Sequence, residues 1–118
     1  MAMTSQGLAT RRSDGQAVNV IVPNGQSWLA GDPRFADGWA GIAMTAGEAG
    51  DVVALEIGTY VHEVTVPGTV ATAKGDLVYI TTDGTNTLTT TVGSNRLFGR
   101  VVRARDANNV AWIRLAAQ

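Results

Sequence analysis

The shortness of the apolar runs in residues 47–82 constrains the fold more than any other feature of the sequence. Three such runs, at residues 52–57, 60–66 and 77–82, are each bounded by glycine, proline or aspartate. The second run alternates with a period of two, which is typical of a half-buried antiparallel strand. It stops at Pro67-Gly68, because proline cannot donate to a β-ladder and glycine readily takes a positive φ. The segment therefore predicts three short strands joined by turns.

The rest of the chain repeats this pattern. Asp37-Gly38 separates two apolar runs and suits a two-residue type I′ hairpin. Residues 87–91 are mostly threonine around Leu88, which predicts a strand at an edge or rim. About eight or nine short strands at this spacing predict an all-β fold, either a compact small β-barrel or a β-sandwich. The predicted core consists of Val18, Val20, Val53, Leu55, Ile57, Val64, Val78, Ile80, Leu97, Val101, Ile113 and Leu115.

The chain has 118 residues, which is the size of one domain. Residues 1–13 show no periodicity and are predicted to form a flexible, extended N-terminal arm. Residues 14–118 are predicted to form a single β-domain. The arm lacks the apolar centre of a secretory signal, and no run approaches the ~20 apolar residues of a membrane helix. The sequence therefore predicts no association with a membrane.

The charges are distributed unevenly along the chain. The net charge of −1 argues against a protein that binds nucleic acid through phosphate contacts. Residues 96–118 carry five arginines and Asp106, a balance of +5 − 1 = +4, whereas residues 1–95 carry +4 − 9 = −5. In one interpretation the basic strands pair with strands that carry Glu56 and Glu63. In the other they form a basic face that docks on an acidic partner.

No catalytic set is recognisable in the sequence. His62 is the only histidine, cysteine is absent, and Glu63 lies on the opposite strand face from His62, so no usual nucleophilic triad can be assembled. The glycines form no phosphate-binding loop before a helix. These observations predict a protein that is not an enzyme and takes no cofactor.

The dipeptide Gly-Asp recurs at three places, each near the start of an apolar run. Its aspartates are Asp32, Asp51 and Asp76. Aspartate in this position is predicted to cap the backbone of a turn. A metal site built from the three carboxylates is the alternative, but their spacing matches no calcium loop. We therefore expect no metal ion.

The tryptophans are the most informative aromatic residues. Trp112 alternates with Ile113, so if Ile113 is in the core, Trp112 faces outward. An exposed tryptophan indicates contact with a partner or another subunit, unless it packs under a loop or a second sheet. Exposed Trp28, Trp39 and Trp112 would alternatively serve as stacking platforms in a carbohydrate-binding or host-attachment module.

The order and spacing of several short motifs resemble those of a known family. The motifs are Gly-Asp-Pro at 31–33, Gly-Ile-Ala at 41–43, GEAGDVVALEIG at 47–58, KGDLVY at 74–79, LFGRVV at 97–102 and WIRL at 112–115. Over about residues 15–115 the chain resembles the small capsid cement, or head decoration, proteins of tailed bacteriophages.

This resemblance implies a structural protein of the virion. Such proteins bind the outer surface of the expanded shell of major capsid protein and stabilise it, often as trimers. The chain would then be made in the host cytoplasm and act on the outside of the capsid. We expect a homotrimer at three-fold sites, in which arginines of one subunit face acids of the next and Trp112 is covered. The expected partner contacts are Arg11, Arg12, Trp28, Trp39, Arg100, Trp112 and Arg114.

Overall fold

The structure, a computed structural model, describes residues 16–118, and the regular elements in that range are all β-strands. The all-β class is therefore confirmed. The predicted N-terminal arm, residues 1–13, lies outside the described residues. The strands are β1 (Ala17–Ile21), β2 (Ser27–Trp28), β3 (Pro33–Ala36), β4 (Trp39–Ala43), β5 (Gly47–Glu48), β6 (Val52–Glu56), β7 (Val61–Thr65), β8 (Leu77–Ile80), β9 (Leu88–Thr89), β10 (Arg96–Arg103) and β11 (Val110–Leu115).

The strands form three antiparallel sheets. The largest has five strands in the order β9-β8-β10-β11-β7, the second has four in the order β1-β6-β4-β3, and β2 pairs with β5. The larger sheets are curled into half-barrels. In the four-stranded sheet the Ile21 N–H, on edge strand β1, donates to Asp37 Oδ2 at 3.0 Å. Because Asp37 lies in the turn that follows the other edge strand, β3, this bond links the two edges of the sheet.

Strand β4 lies between two hydrophobic clusters and contributes to both. Ala40 and Ile42 belong to the cluster under the five-stranded sheet, whereas Ala43 belongs to the cluster around Trp28. The strand also passes close to β6, since a Cβ added at Gly41 would lie 2.3 Å from the Glu56 carbonyl oxygen. Small residues therefore dominate β4, because both of its faces are buried and its neighbour approaches closely.

The three Gly-Asp dipeptides form three copies of one turn. Asp32, Asp51 and Asp76 each accept, through Oδ2, a hydrogen bond from the N–H three residues earlier, at 2.9, 2.8 and 3.0 Å. The glycine before each aspartate has a φ of 90°, 91° or 92°. A positive φ at the third residue and a backbone bond from the fourth to the first are features of a type II turn. The predicted turn-capping role of these aspartates is confirmed.

Two further local predictions are confirmed. Asp37 and Gly38 both have positive φ, 52° and 84°, and join β3 to β4 with Ala36 opposite Trp39, as a type I′ hairpin requires. The threonine-rich segment gives only the two-residue strand β9, which forms one edge of the five-stranded sheet.

The predicted core is largely confirmed, but the assignment of Leu97 to it is wrong. The partner register shifts between Leu97 and Gly99, so β10 contains a β-bulge. The bulge changes which residues of the strand face inward, and it buries Phe98 while Leu97 is exposed. Sequence alternation alone does not reveal this change of phase. Val18 and Ile57 are partly buried against the Trp28 cluster instead of being fully buried.

Candidate functional site

The outward face of the five-stranded sheet gathers three of the residues predicted to contact a partner. Strand register aligns Val61, Arg114, Arg100 and Leu77 in one row across β7, β11, β10 and β8. In the next row Trp112 lies opposite Arg103 on one side and Glu63 on the other. We call this surface the basic face; it consists of Val61, Glu63, Leu77, Arg100, Arg103, Trp112 and Arg114.

Two like charges oppose each other at the centre of the basic face. Arg100 and Arg114 are direct cross-strand partners and both are exposed. Like charges in this position destabilise a sheet unless a counter-charge is near. Arg100 donates to the Gly75 carbonyl oxygen at 3.1 Å, while Arg114 has no hydrogen-bond or ion-pair partner among the described residues. With Arg103 and Glu63 included, the face therefore carries an excess of positive charge, +3 − 1 = +2.

The predicted pairing of the C-terminal basic strands with acidic strands holds for the strand that carries Glu63, because β11 pairs with β7. It does not hold for the strand that carries Glu56, which pairs with β1 and β4. Within residues 16–118 Arg34 forms an ion pair with Asp32 at 2.9 Å. His62 Nε2 lies 2.9 Å from Glu56 Oε1, a contact that is ionic only when the histidine is protonated. Glu63 shares the basic face but forms no ion pair there. The cause is the strand order: β11 lies between β10 and β7, so Arg114 faces Arg100 and Val61.

Trp112 faces outward, as its alternation with Ile113 predicted. Ile113 is fully buried and Trp112 is 37% exposed. The Arg103 guanidinium lies 5.1 Å from the centroid of the Trp112 ring, within the range of a cation–π contact. Trp112 is therefore held in place on the surface, as a flat apolar group beside positive charge.

A shallow groove borders the basic face. It has a volume of about 560 Å³ and is lined by Leu77, Tyr79, Thr90, Val92 and Arg100, with Gly75 and Asp76 at one end. Leu77 and Val92 expose apolar surface there. The basic face and the groove thus combine apolar side chains with arginines, as protein-binding surfaces commonly do.

The remaining predicted contact residues lie elsewhere. Trp28 is 0% exposed, and its Nε1–H donates to Gln26 Oε1 at 2.8 Å. The expectation that Trp28 is an exposed contact is therefore wrong: it fills the second cluster, where it offers no surface to a partner. Trp39 is half-buried on β4 against the same cluster, in a different sheet from Trp112. Arg11 and Arg12 lie outside the described residues.

The described residues show no arrangement typical of catalysis. His62 Nε2 lies 2.9 Å from Glu56 Oε1, and within residues 16–118 no hydroxyl is hydrogen-bonded to either side chain. In residues 16–118 no group of three or more His, Cys, Asp or Glu side chains is placed to hold a metal ion. A second pocket, of about 310 Å³, is lined by Ile57, Gly58, Thr59, Tyr60 and Ala117 with Gln16 and Gln118, and none of these carries a charge. No helix in the described part of the chain is long and apolar enough to span a membrane.

Sequence reasoning missed part of the basic face. Alternation in β8 buries Val78 and Ile80, so Leu77 was predictable as an outward residue. The position of Arg103 over Trp112 was not, because it depends on a register shift in β10 between Val101 and Arg103. Local alternation carries no signal for that shift.

Comparison with known proteins identifies the family. No curated protein and no solved structure matches the chain significantly. The sequence model of the phage cement protein family, however, matches residues 12–116, nearly the whole chain. Its members are structural, non-enzymatic proteins associated with the phage capsid. The chain belongs to the phage cement protein family.

Proposed function

We propose that this protein is a head decoration subunit that binds the outer surface of the assembled major capsid shell and stabilises it. The family match over residues 12–116 carries this proposal. A subunit that binds only the assembled shell stabilises it by mass action, by about 2.7 kcal/mol per site at a free concentration of 100 times Kd. Synthesis in the host cytoplasm, before attachment to the shell, agrees with a chain that has no cysteine.

On the shell the subunits form a homotrimer at three-fold sites. Arg100 and Arg114, which form no ion pair within residues 16–118, lie beside exposed Trp112 and support contact between subunits, because all three side chains are exposed on one face. Repetition of one such contact closes into a ring when the rotation permits. Arg11, Arg12 and Trp39 then contact the shell, with residues 1–13 acting as an arm attached to the single domain of residues 14–118.

Co-sedimentation tests the proposed function. Emptied, expanded shells that lack decoration protein are mixed with the purified full-length chain, centrifuged and then heated. We expect saturable binding and a higher temperature of shell disruption. Unexpanded shells serve as the matched control and should bind less. Absence of the chain from the shell pellet would contradict the proposal, and binding on a glycan array without shell binding would favour the carbohydrate-binding module.

Deletion of residues 2–12 tests the role of the arm. The deletion removes Arg11 and Arg12 but leaves every described strand intact, so the thermal midpoint of the free protein should change little. Shell affinity should fall at least tenfold, since two cationic contacts are lost. The double variant Arg11→Ala/Arg12→Ala separates the charges from the length of the arm. Shell affinity equal to that of the full chain would show that the arm makes no contact.

A further inference from the structure

The four-stranded sheet carries a second exposed surface, with apolar residues at its centre. Ile21 on β1 and Val52 on β6 are direct cross-strand partners and are 55% and 65% exposed. Met44, 50% exposed, follows β4, where its N–H continues the ladder to β6. The register places these three side chains on the same face of the sheet. With Asp37 and Asp51 at its border, we call this surface the acidic face.

Local hydrogen bonds fix the two carboxylates of the acidic face. Asp37 Oδ2 accepts from the Ile21 N–H at 3.0 Å, and Asp51 Oδ2 accepts from the Glu48 N–H at 2.8 Å. Both aspartates are exposed, and neither forms an ion pair within the described residues. The acidic face therefore presents fixed negative charge beside bare apolar surface.

The basic and acidic faces complement each other in charge and resemble each other in apolar content. The basic face places Arg100 and Arg114 beside Trp112 and Leu77, and its like-charge opposition is relieved when carboxylates approach. Arginine–carboxylate contacts at the border of a desolvated apolar centre are short and strong. Because the two faces lie on different sheets of one chain, a second copy can supply the missing partner for each.

We propose that the basic face of one copy binds the acidic face of a second copy, in a head-to-tail contact. This inference rests on the proposed trimer and names the two surfaces that form it. A contact between different faces of identical subunits is heterologous, so it repeats from copy to copy and can close into a ring. A two-fold contact that paired the two faces reciprocally would instead close as a dimer and leave neither face free.

Introducing unfavourable charges on each face tests the proposal in solution. One variant, Arg100→Glu/Arg114→Glu, alters the basic face; the other, Met44→Lys/Val52→Lys, alters the acidic face without touching the aspartates that hold turns. Leu29→Lys changes a side chain that is 67% exposed outside both faces and is the matched control. The weight-average mass of each is measured by sedimentation equilibrium against the 12.3 kDa of one chain.

We expect each double variant alone to associate at least tenfold more weakly than the wild type, and Leu29→Lys to behave as the wild type. An equimolar mixture of the two double variants should recover association, because it contains one unaltered basic face and one unaltered acidic face. Association of Met44→Lys/Val52→Lys at wild-type strength would overturn the proposal, since a contact confined to the basic face would not need the acidic one.

Disulfide trapping extends the test to the shell, and the chain is suited to it because it has no cysteine of its own. The Val52→Cys and Leu77→Cys chains are oxidised in two ways, each chain alone and the two chains mixed together. Both treatments are applied to the free protein and to protein bound to shells. We expect a mixed Val52–Leu77 dimer and little of either homodimer, while Leu29→Cys mixed with Leu77→Cys should give none. Prevalent Val52–Val52 homodimers, or no mixed dimer in solution or on shells, would overturn the proposal.

The two assays separate this inference from the proposed function. Shell binding by the wild type without any mixed cross-link would leave the decoration function standing and reject the head-to-tail contact. A mixed cross-link in solution, from a chain that does not sediment with shells, would support the head-to-tail contact and reject the decoration function.

Discussion

Gly99 lies where β10 approaches β11 too closely for a side chain. A Cβ at this position would be 2.3 Å from the Arg114 carbonyl oxygen and 2.6 Å from the Ile113 side chain. Backbone atoms of a central strand cannot move aside without breaking the ladder. We expect Gly99→Ala to lower the free energy of unfolding by about 1–3 kcal/mol, measured by chemical denaturation.

Gly68→Ala is the control for this substitution. At Gly68 the nearest atom to an added Cβ is 4.0 Å away and φ is not in the left-handed region, so the change should be within about 0.5 kcal/mol of the wild type. Equal stabilities of the two variants would contradict the close approach at Gly99.

Two exposed aspartates couple stability to acid pH. Backbone N–H groups of Val110 and Asn108 donate to Asp106 and lower its pKa below the ordinary 3.8, and hydrogen bonds from Thr85 lower the pKa of Asp83 in the same way. The unfolded chain therefore binds protons at higher pH than the folded chain. The stability that these bonds contribute is present above about pH 4 and is lost as the pH falls through the lowered pKa values.

We expect carboxyl-carbon NMR titration to show Asp83 and Asp106 protonating below the ordinary aspartate pKa of 3.8. Unfolding free energies measured from neutral to acid pH should fall less steeply in Asp83→Asn/Asp106→Asn than in the wild type, because asparagine has no proton to gain. An unchanged slope in that variant would refute the linkage.

At the scale of elements, the bulge in β10 decides which large side chain enters the core. Phe98 is 2% exposed and belongs to the cluster under the five-stranded sheet, while the neighbouring Leu97 is outside it. We expect Phe98→Ala to reduce the free energy of unfolding by about 3–5 kcal/mol. Leu97→Ala, the paired control, should cost clearly less, since 37% of the Leu97 surface stays in water and its side chain lies outside the cluster. The reverse order would mean that the strand keeps its regular alternation.

Elements set by local chemistry were predictable from the sequence, and those set by distant contacts were not. The three Gly-Asp turns and the Asp37-Gly38 hairpin follow from what glycine and aspartate do within four residues. The bulge in β10 and the burial of Trp28 depend on strands that are far away in the chain. Trp28 lies on a two-residue strand with no periodicity to read. Trp112, in contrast, lies on a six-residue strand whose alternation predicted its outward position. Its contact with Arg103 and the opposition of Arg100 and Arg114 were not predictable, because they depend on the register between β10 and β11.

At the scale of the whole molecule, His62 and Glu56 join the two large sheets. His62 is on β7 of the five-stranded sheet and Glu56 is on β6 of the four-stranded sheet, with 2.9 Å between Nε2 and Oε1. Both side chains are about one-quarter exposed, so the pair contributes modestly. We expect His62→Gln to change the free energy of unfolding by less than about 1 kcal/mol and to leave shell co-sedimentation intact. Loss of shell binding by a folded His62→Gln protein would place His62 in the capsid contact.

Burial of β4 on both faces has a mechanical consequence. If only a loop joined the two hydrophobic clusters, the protein would bend at that loop when force is applied. Here the shared element is strand β4, whose backbone pairs with β3 and β6. The Ala40 N–H of this strand also donates to Gln118 Oε1 at 3.0 Å. A force that pulls on either cluster must shear this ladder, in which several hydrogen bonds resist together. We therefore expect the two clusters to move together as one stiff unit. Bound to a shell as we propose, the protein would transmit tension between neighbouring capsid proteins without bending between its two clusters.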